Sequence, residues 1–167
     1  MELYLLRHGL ALVRDDLDYE RDAERPLTPR GKRQLRQIAA AMKRLNLRFD
    51  LILSSPYVRA RQTAKIVARA LKRQKQLAFS DELIPGGNPR TLIQQLNTAH
   101  AKADAVLLVG HEPYLSHLTS WLTTGQPDLA MDFKKGGLCK LETEALGYDR
   151  CAALAWLLTP KQMKLLC

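Results

Sequence analysis

Apolar residues fall into short solid runs, and between the runs they recur every three or four positions. Residues 3–6 form the first run, closed by Arg7-His8-Gly9. Residues 51–53 form a second and residues 76–79 a third. Residues 105–109, closed by Gly110-His111-Glu112-Pro113, form the clearest. A run that is apolar at both alternating positions suits a strand buried on both faces of a parallel sheet. The intervening stretches have helical period. Leu35, Ile38, Ala39, Met42 and Leu45 form one stripe, and Ala60, Ala64, Val67 and Leu71 a second. Leu92, Ile93 and Leu96 form a third, and Leu115, Leu118 and Leu122 a fourth. Three of these stripes follow Thr28-Pro29, Ser55-Pro56 and Asn88-Pro89. In each pair an oxygen-bearing side chain can cap the helix, and proline costs nothing at a position whose N–H has no helical partner. From about residue 14 to 25 the pattern lapses into alternating acids and bases, which predicts a surface loop or a poorly packed helix. After Gly125 the character changes. Residues 136–143 and 151–158 read as two strands of a hairpin, with Gly147-Tyr148-Asp149 between them, and residues 161–166 as a last helical turn.

Strand–helix alternation over most of the chain predicts a three-layer α/β/α sandwich on a mostly parallel central sheet, in a single domain spanning residues 1–167. Composition agrees. Hydrophobic residues are 46% and charged residues 26%, the usage of a folded globular chain rather than a disordered one. At this length about 70% of the unfolded surface is buried, so the core needs neither metal nor disulfide. The three cysteines, at 139, 151 and 167, form no C-x-x-C pair and read as reduced thiols of a cytoplasmic protein. The first apolar run is too short for a signal peptide, and no run approaches the length of a membrane helix, so no membrane is expected as a partner. The net charge of +9 favours anionic partners without choosing among them. Only 6% of residues are aromatic, too few for a stacking platform, and no specific nucleic acid is expected.

Ligands of open α/β sheets bind beyond the carboxyl ends of the strands. There the sequence places Arg7 and His8 after the first run, Ser54-Ser55-Pro56-Tyr57-Val58-Arg59 after the second, and Gly110-His111 after the run at 105–109. Arg59 falls in the first turn of its helix and can reach back to the same edge. Two guanidiniums and two imidazoles around one cavity suit a phosphoryl group. Arginine offers a charged fork of donors to phosphate oxygens. A neutral imidazole can attack phosphorus, and positive neighbours help keep it neutral. Taken singly, a histidine after a strand is more often structural, and an arginine in a first helical turn is usually solvated. The pairing of His8 and His111 at strand ends changes that balance.

The motifs point further. Arg7-His8-Gly9, Leu27-Thr28-Pro29-Arg30-Gly31, the segment from Ser54-Ser55-Pro56 through Arg59-Ala60 to Gln62-Thr63-Ala64, and Val109-Gly110-His111 occur in order, covering residues 3 to 113. Together they resemble the histidine phosphatase superfamily, whose fold is phosphoglycerate mutase-like. The short chain leaves little room for the inserts of mutases and sugar bisphosphatases. With Glu82-Leu83 before Pro85 and the Lys134-Lys135-Gly136-Gly137-Leu138 stretch, it resembles the small SixA-type phosphohistidine phosphatases. The resemblance implies that His8 is the nucleophile and becomes phosphorylated, and that Arg7, Arg59 and His111 complete the phosphate pocket. It implies no metal or other cofactor, and as partner a phosphorylated protein of the histidine-phosphotransfer type, acted on by a monomer. Arg61 matches a variable position and is assigned to the surface. His100 and His117 match no motif and are read as structural or exposed. Lys134 and Lys135 are read as a solvated basic turn before an approach to substrate. Arg33, Arg36, Lys65 and Arg69 could dock an acidic partner, although solvated helix faces explain them equally well.

One departure bears on substrate. The family often places a general-acid glutamate, as L-x-E, after the third strand. Here the wording is Leu83-Ile84-Pro85, with proline in the acid's place. Asp81, Glu82 and Glu112 are the alternatives, or there is no acid. An alcohol leaving group needs that proton, at a cost on the order of 10²–10⁴ in rate without it. An imidazole, with a pKa of about 6.5, leaves more easily. The expected activity is therefore hydrolysis of an N–P bond. The alternatives are a phosphatase of small phosphate esters or sugar phosphates, and a non-catalytic phosphate-binding module.

Overall fold

The computed structural model describes residues 1–13 and 22–166. The apolar runs become strands β1 (Glu2–Arg7), β2 (Leu51–Ser54), β3 (Leu77–Phe79) and β4 (Ala105–Gly110). Later come β5 (Leu138–Glu142) and β6 (Ala153–Leu158). The helical stripes become α1 (Pro29–Arg44), α2 (Val58–Ala70), α3 (Pro89–Ala99) and α4 (Tyr114–Thr124), and the last turn is α5 (Pro160–Leu165). One sheet runs in the order β3-β2-β4-β1-β5-β6. β1 to β4 are mutually parallel, and β5 runs antiparallel to both β1 and β6. The late hairpin is formed by β5 and β6, with a register shift between Lys140 and Leu141.

Strand alternation sorts the core into two layers. Leu3, Leu5, Leu53, Val106 and Leu108 pack with the buried faces of α3 and α4. Tyr4, Leu6, Ile52, Leu107 and Val109 pack with α1, α2 and α5. The result is the expected α/β/α sandwich. Helix α1 shows how sequence produces an element here. Thr28 Oγ accepts from Gly31 N at 2.9 Å, Pro29 opens the helix, and Leu35, Ile38 and Met42 are fully buried. Each such side chain contributes about 1.5–3 kcal/mol by leaving water. Gly31 is required by a close approach, because a Cβ there would stand 2.2 Å from the Leu10 carbonyl oxygen. Leu45 departs from the predicted stripe. It caps the helix C-terminus and is 38% exposed.

A second departure matters for the site. α2 does not start at Ser55-Pro56 but at Val58, with Tyr57 as an N-cap that makes no side-chain bond. Ser55 still belongs to the sheet edge, where its N–H donates to Val109 O at 3.0 Å. Asn88, by contrast, caps α3 as expected by accepting from Arg90 N. Of the polar stretch 14–25, residues 14–21 lie outside the described residues, as does Cys167, and Asp22–Glu24 form a short 3-10 turn. Cys139 and Cys151 are free thiols.

The chain leaves β1, builds β2 and β3, and returns to insert β4 between β2 and β1. Register pairs Arg7 with Gly110 and Ser54 with Val109, so the three carboxyl ends finish level. Residues that follow these strands therefore share one edge.

Candidate active site

His8 sits immediately beyond β1, 7% exposed, with its backbone held from both sides. Its N–H donates to Gly110 O at 3.0 Å, and its carbonyl accepts from Gly136 N at 3.2 Å. Gly136 N also reaches Arg7 O at 3.0 Å, and it does so from a φ of +79°, where a side chain would be strained. The Lys-Lys-Gly-Gly turn is thus a clamp on the end of β1. Gly9 N donates to Thr63 Oγ1, which in turn donates to Arg59 O, tying the loop after β1 to α2. Gln62 Oε1 accepts from Leu27 N and ties the same helix to the start of α1.

The imidazole of His8 has a defined tautomer. Nδ1 stands 2.7 Å from Gly9 O, and a carbonyl can only accept, so Nδ1 carries the proton. Nε2 then holds a lone pair, and Arg59 Nε donates to it at 3.2 Å. Burial, with help from His111, Arg59 and Arg7, pushes the His8 pKa down to about 3, against a smaller opposing effect of the Gly9 carbonyl. His111 lies alongside, with ring centroids 5.1 Å apart. Its Nε2 is 2.9 Å from Ser55 Oγ, and its Nδ1 is buried without a partner. Burial, followed by the charge of Arg59, holds its pKa at about 3 as well. Tyr57 packs edge-on to the same ring at 5.2 Å. Arg7 Nη1 donates to Phe133 O at 2.7 Å, while its buried Nε has no partner. All four predicted residues are brought to one edge of the sheet, and Arg59 and His8 are in direct contact.

The structure adds Asp22, which sequence reading missed. Its carbonyl accepts from Arg59 Nη1 at 2.6 Å, and its Oδ2 pairs with Arg59 Nη2 at 2.8 Å. Its Oδ1 pairs with Arg25, whose Nη1 donates to Leu12 O. These two arginines hold the Asp22 carboxyl below the usual carboxylate range, against desolvation that raises it. The only sequence signal was a polar stretch without periodicity. Ser55 and Thr63 stood inside a quoted motif, but their roles became visible only here.

The proposed acids divide differently. Glu82 accepts from Asn88 N, and Glu112 accepts from the backbone and hydroxyl of Ser116, so neither carboxylate bonds to His8, Arg59 or His111. Asp81 is exposed. Arg61 and His117 are exposed and His100 is half-buried. Lys134 pairs with Asp132, whereas Lys135 stands close enough to Arg7, Arg25 and Arg59 for their charges to lower its pKa, after burial as the larger cause. Both lysines line a cleft of about 630 Å³ that also includes Arg7 and Lys161. Among the described residues no cluster of three His, Cys, Asp or Glu is arranged to hold a metal ion, and no helix is long and apolar enough to cross a membrane.

Two buried imidazoles and the guanidinium of Arg59 thus meet beyond the carboxyl ends of β1, β2 and β4, with Arg7 beside them, a set of groups chemically suited to a phosphoryl group. Residues 3–84 match the model of the histidine phosphatase superfamily (branch 1). The chain is 30% identical over 127 residues to the phosphohistidine phosphatase SixA of Escherichia coli (strain K12), covering 75% of this chain and 76% of that one. It is 38% identical over 146 residues to an uncharacterized protein of Picosynechococcus sp., covering 87% of each. Among solved structures, the protein histidine phosphatase SixA complexed with tungstate superimposes with a TM-score of 0.84 at 25% identity, over 98% of this chain and 100% of that one. This chain belongs to the histidine phosphatase superfamily and is a homologue of SixA in both sequence and structure.

The two lowered histidine pKa values predict a pH effect on stability. In the unfolded chain each imidazole binds a proton below about 6.5, whereas in the folded chain each stays neutral down to about 3. The unfolded state therefore binds more protons in this interval, and stability falls as pH falls through it. Melting temperature is expected to drop between pH of about 6.5 and 4.5, before most carboxylates titrate. His8→Ala should shallow that drop, and an unchanged slope would show that His8 is not buried neutral. Nitrogen NMR should find His8 in the Nδ1–H tautomer throughout the same range.

Proposed function

We propose that this chain is a metal-independent phosphatase that hydrolyses phosphohistidine on a protein, of the histidine-phosphotransfer type, through a phosphohistidine intermediate on His8. The observation that carries the reading is the His8 ring: Nδ1–H given to Gly9 O, and the Nε2 lone pair beside Arg59. In the first step the lone pair of Nε2 forms a bond to phosphorus. The substrate's N–P bond breaks, and its electron pair stays on the leaving imidazole, which takes up a proton. In the second step water attacks the phosphoryl group on His8, loses a proton, and releases phosphate while Nε2 recovers its lone pair. Arg7 and Arg59 supply donors to the equatorial oxygens, where the charge lies, and His111 adds one in the tautomer whose Nε2 accepts from the Ser55 hydroxyl and whose Nδ1 carries the proton.

Homology with a phosphohistidine phosphatase supports the N–P substrate. So does the commitment of Glu82 and Glu112 to other partners, and of the Asp22 carboxylate to Arg59 and Arg25, which leaves each of the three acids held by a group other than a leaving oxygen. The cleft beside Arg7, edged by Lys134, Lys135 and Lys161, gives an acidic protein substrate a place to lie. The reaction is assigned to a cytoplasmic monomer.

The test is phosphate release from a phosphohistidine-labelled phosphotransfer domain, with and without chelator, compared with release from an alkyl phosphate monoester. We expect release that chelator does not change, with kcat/KM on the N–P substrate at least about 10²-fold above the ester. Equal or faster ester hydrolysis would overturn the substrate assignment and favour a small-ester phosphatase. Phosphate binding without turnover of either substrate would favour a binding module.

A further inference from the structure

Resting on the reading of this site as a phosphate site, we infer that Asp22 is its resident anion, a positioning residue that holds Arg59 ready while weakening retention of the phosphate product. Arg59 has five N–H donors. Three are used: one on His8 Nε2, one on the Asp22 carbonyl, and one on the Asp22 carboxylate. The last of these is the kind of charged N–H···O contact a phosphate oxygen would make. A phosphoryl group arriving at His8 therefore meets an arginine that already has an anion on its fork.

The carboxylate is anchored from behind. Asp22 Oδ1 pairs with Arg25 at 2.6 Å, and Arg25 is itself fixed to Leu12 O at 2.8 Å. Oδ2 alone faces Arg59, so one carboxylate bridges two guanidiniums. Held in this way, it remains near the site when phosphate is bound. Its charge reaches His111, the other imidazole of the site. Two consequences follow. The guanidinium of Arg59, 4% exposed at the side chain, is fixed in orientation before substrate arrives. A doubly charged phosphate ion shares the site with a fixed like charge, which weakens ground-state binding and speeds departure of the product.

The test is direct titration of the intact protein with inorganic phosphate, which needs no turnover and no particular substrate. Asp22→Asn removes the charge and keeps one side-chain oxygen, enough for Arg59 or Arg25 but not for both, while the Asp22 carbonyl still accepts from Arg59 Nη1. It is expected to tighten phosphate binding about tenfold, a value discounted for the partial exposure of Asp22. Asp22→Ser, neutral and smaller, gives an independent version of the same comparison. Asp22→Glu retains the charge and should stay near the parent. Unchanged or weaker binding in both neutral variants would overturn the inference and leave Asp22 as a support for Arg59 only. Equal tightening in Asp22→Glu would also overturn it, because charge would not be the cause. Failure of the parent and of both neutral variants to bind phosphate would overturn the phosphate-site reading as well, a result distinct from the other two.

Discussion

His8→Ala is expected to lower phosphate release by about 10⁴-fold or more and to remove the phosphoryl-enzyme altogether. The size follows from what the remaining site can do. Arg7, Arg59 and His111 can still bind and polarise a phosphoryl group, and such residual electrostatic catalysis is worth about 10³–10⁴ over water in comparable nucleophilic sites. The alanine leaves no lone pair at the attacking position, so water would have to attack directly, without a base bonded at that point. The measurement has two parts. Steady-state release gives the rate, and a rapid quench into alkali, where an N–P bond survives, gives the labelled intermediate. Phosphohistidine should appear on the parent at position 8 and be absent from the variant. A variant that keeps more than about a hundredth of the parent rate would move the nucleophile elsewhere, with His111 the first candidate. The fold should tolerate the change, because His8 is held by backbone bonds to Gly110 and Gly136 that alanine retains.

The same residue shows why the sequence was informative here. Strands β1, β2 and β4 were legible because a parallel sheet buried on both faces leaves solid apolar runs, and such runs have abrupt ends. His8 and His111 stand at those ends, so finding the strands located the chemistry. α1 and α3 were legible through Thr28 and Asn88, whose side chains make local cap bonds that a linear reading can anticipate. Ser55-Pro56 looked the same, but α2 begins only at Val58: the Ser55 hydroxyl accepts from Tyr57 N, ahead of the helix, and also meets His111 across the sheet edge. That partnership joins residues 56 positions apart, and nothing local announces it. Asp22 was hidden for a related reason. It comes from a stretch without periodicity, and it acts on Arg59 through two bonds that exist only after folding. Motifs recorded the presence of Thr63 and Gln62 but not their work, which is to tie Gly9 and Leu27 to α2. What sequence patterns encode well is burial and local capping. Long-range polar contacts, which build most of this site, carry no period.

Arg59→Ala is expected to lower kcat/KM by about 10²–10³-fold, the usual cost of losing one preorganised donor group facing transition-state charge. Arg59→Lys should recover little of it, and the contrast tests the geometry. The guanidinium meets three partners at once: Nε on His8, Nη1 on the Asp22 carbonyl and Nη2 on the Asp22 carboxylate. A lysine ammonium restores the charge as a single point and cannot reproduce a planar fork with fixed angles between donors. If charge alone were needed, lysine would restore most of the rate. The two variants also separate catalysis from support. In Arg59→Ala the Asp22 side chain, 39% exposed, can turn to water and keep Arg25, so the stability loss should stay within about 2 kcal/mol. His8, by contrast, loses the donor on Nε2 while keeping Nδ1–H on Gly9 O, so its tautomer and its lone pair survive. Phosphoryl transfer to His8 should therefore continue at a reduced rate in Arg59→Ala, with labelled intermediate still detectable, whereas in His8→Ala it cannot form. An Arg59→Ala enzyme with full activity would show that the fork serves Asp22 and the fold rather than the phosphoryl group.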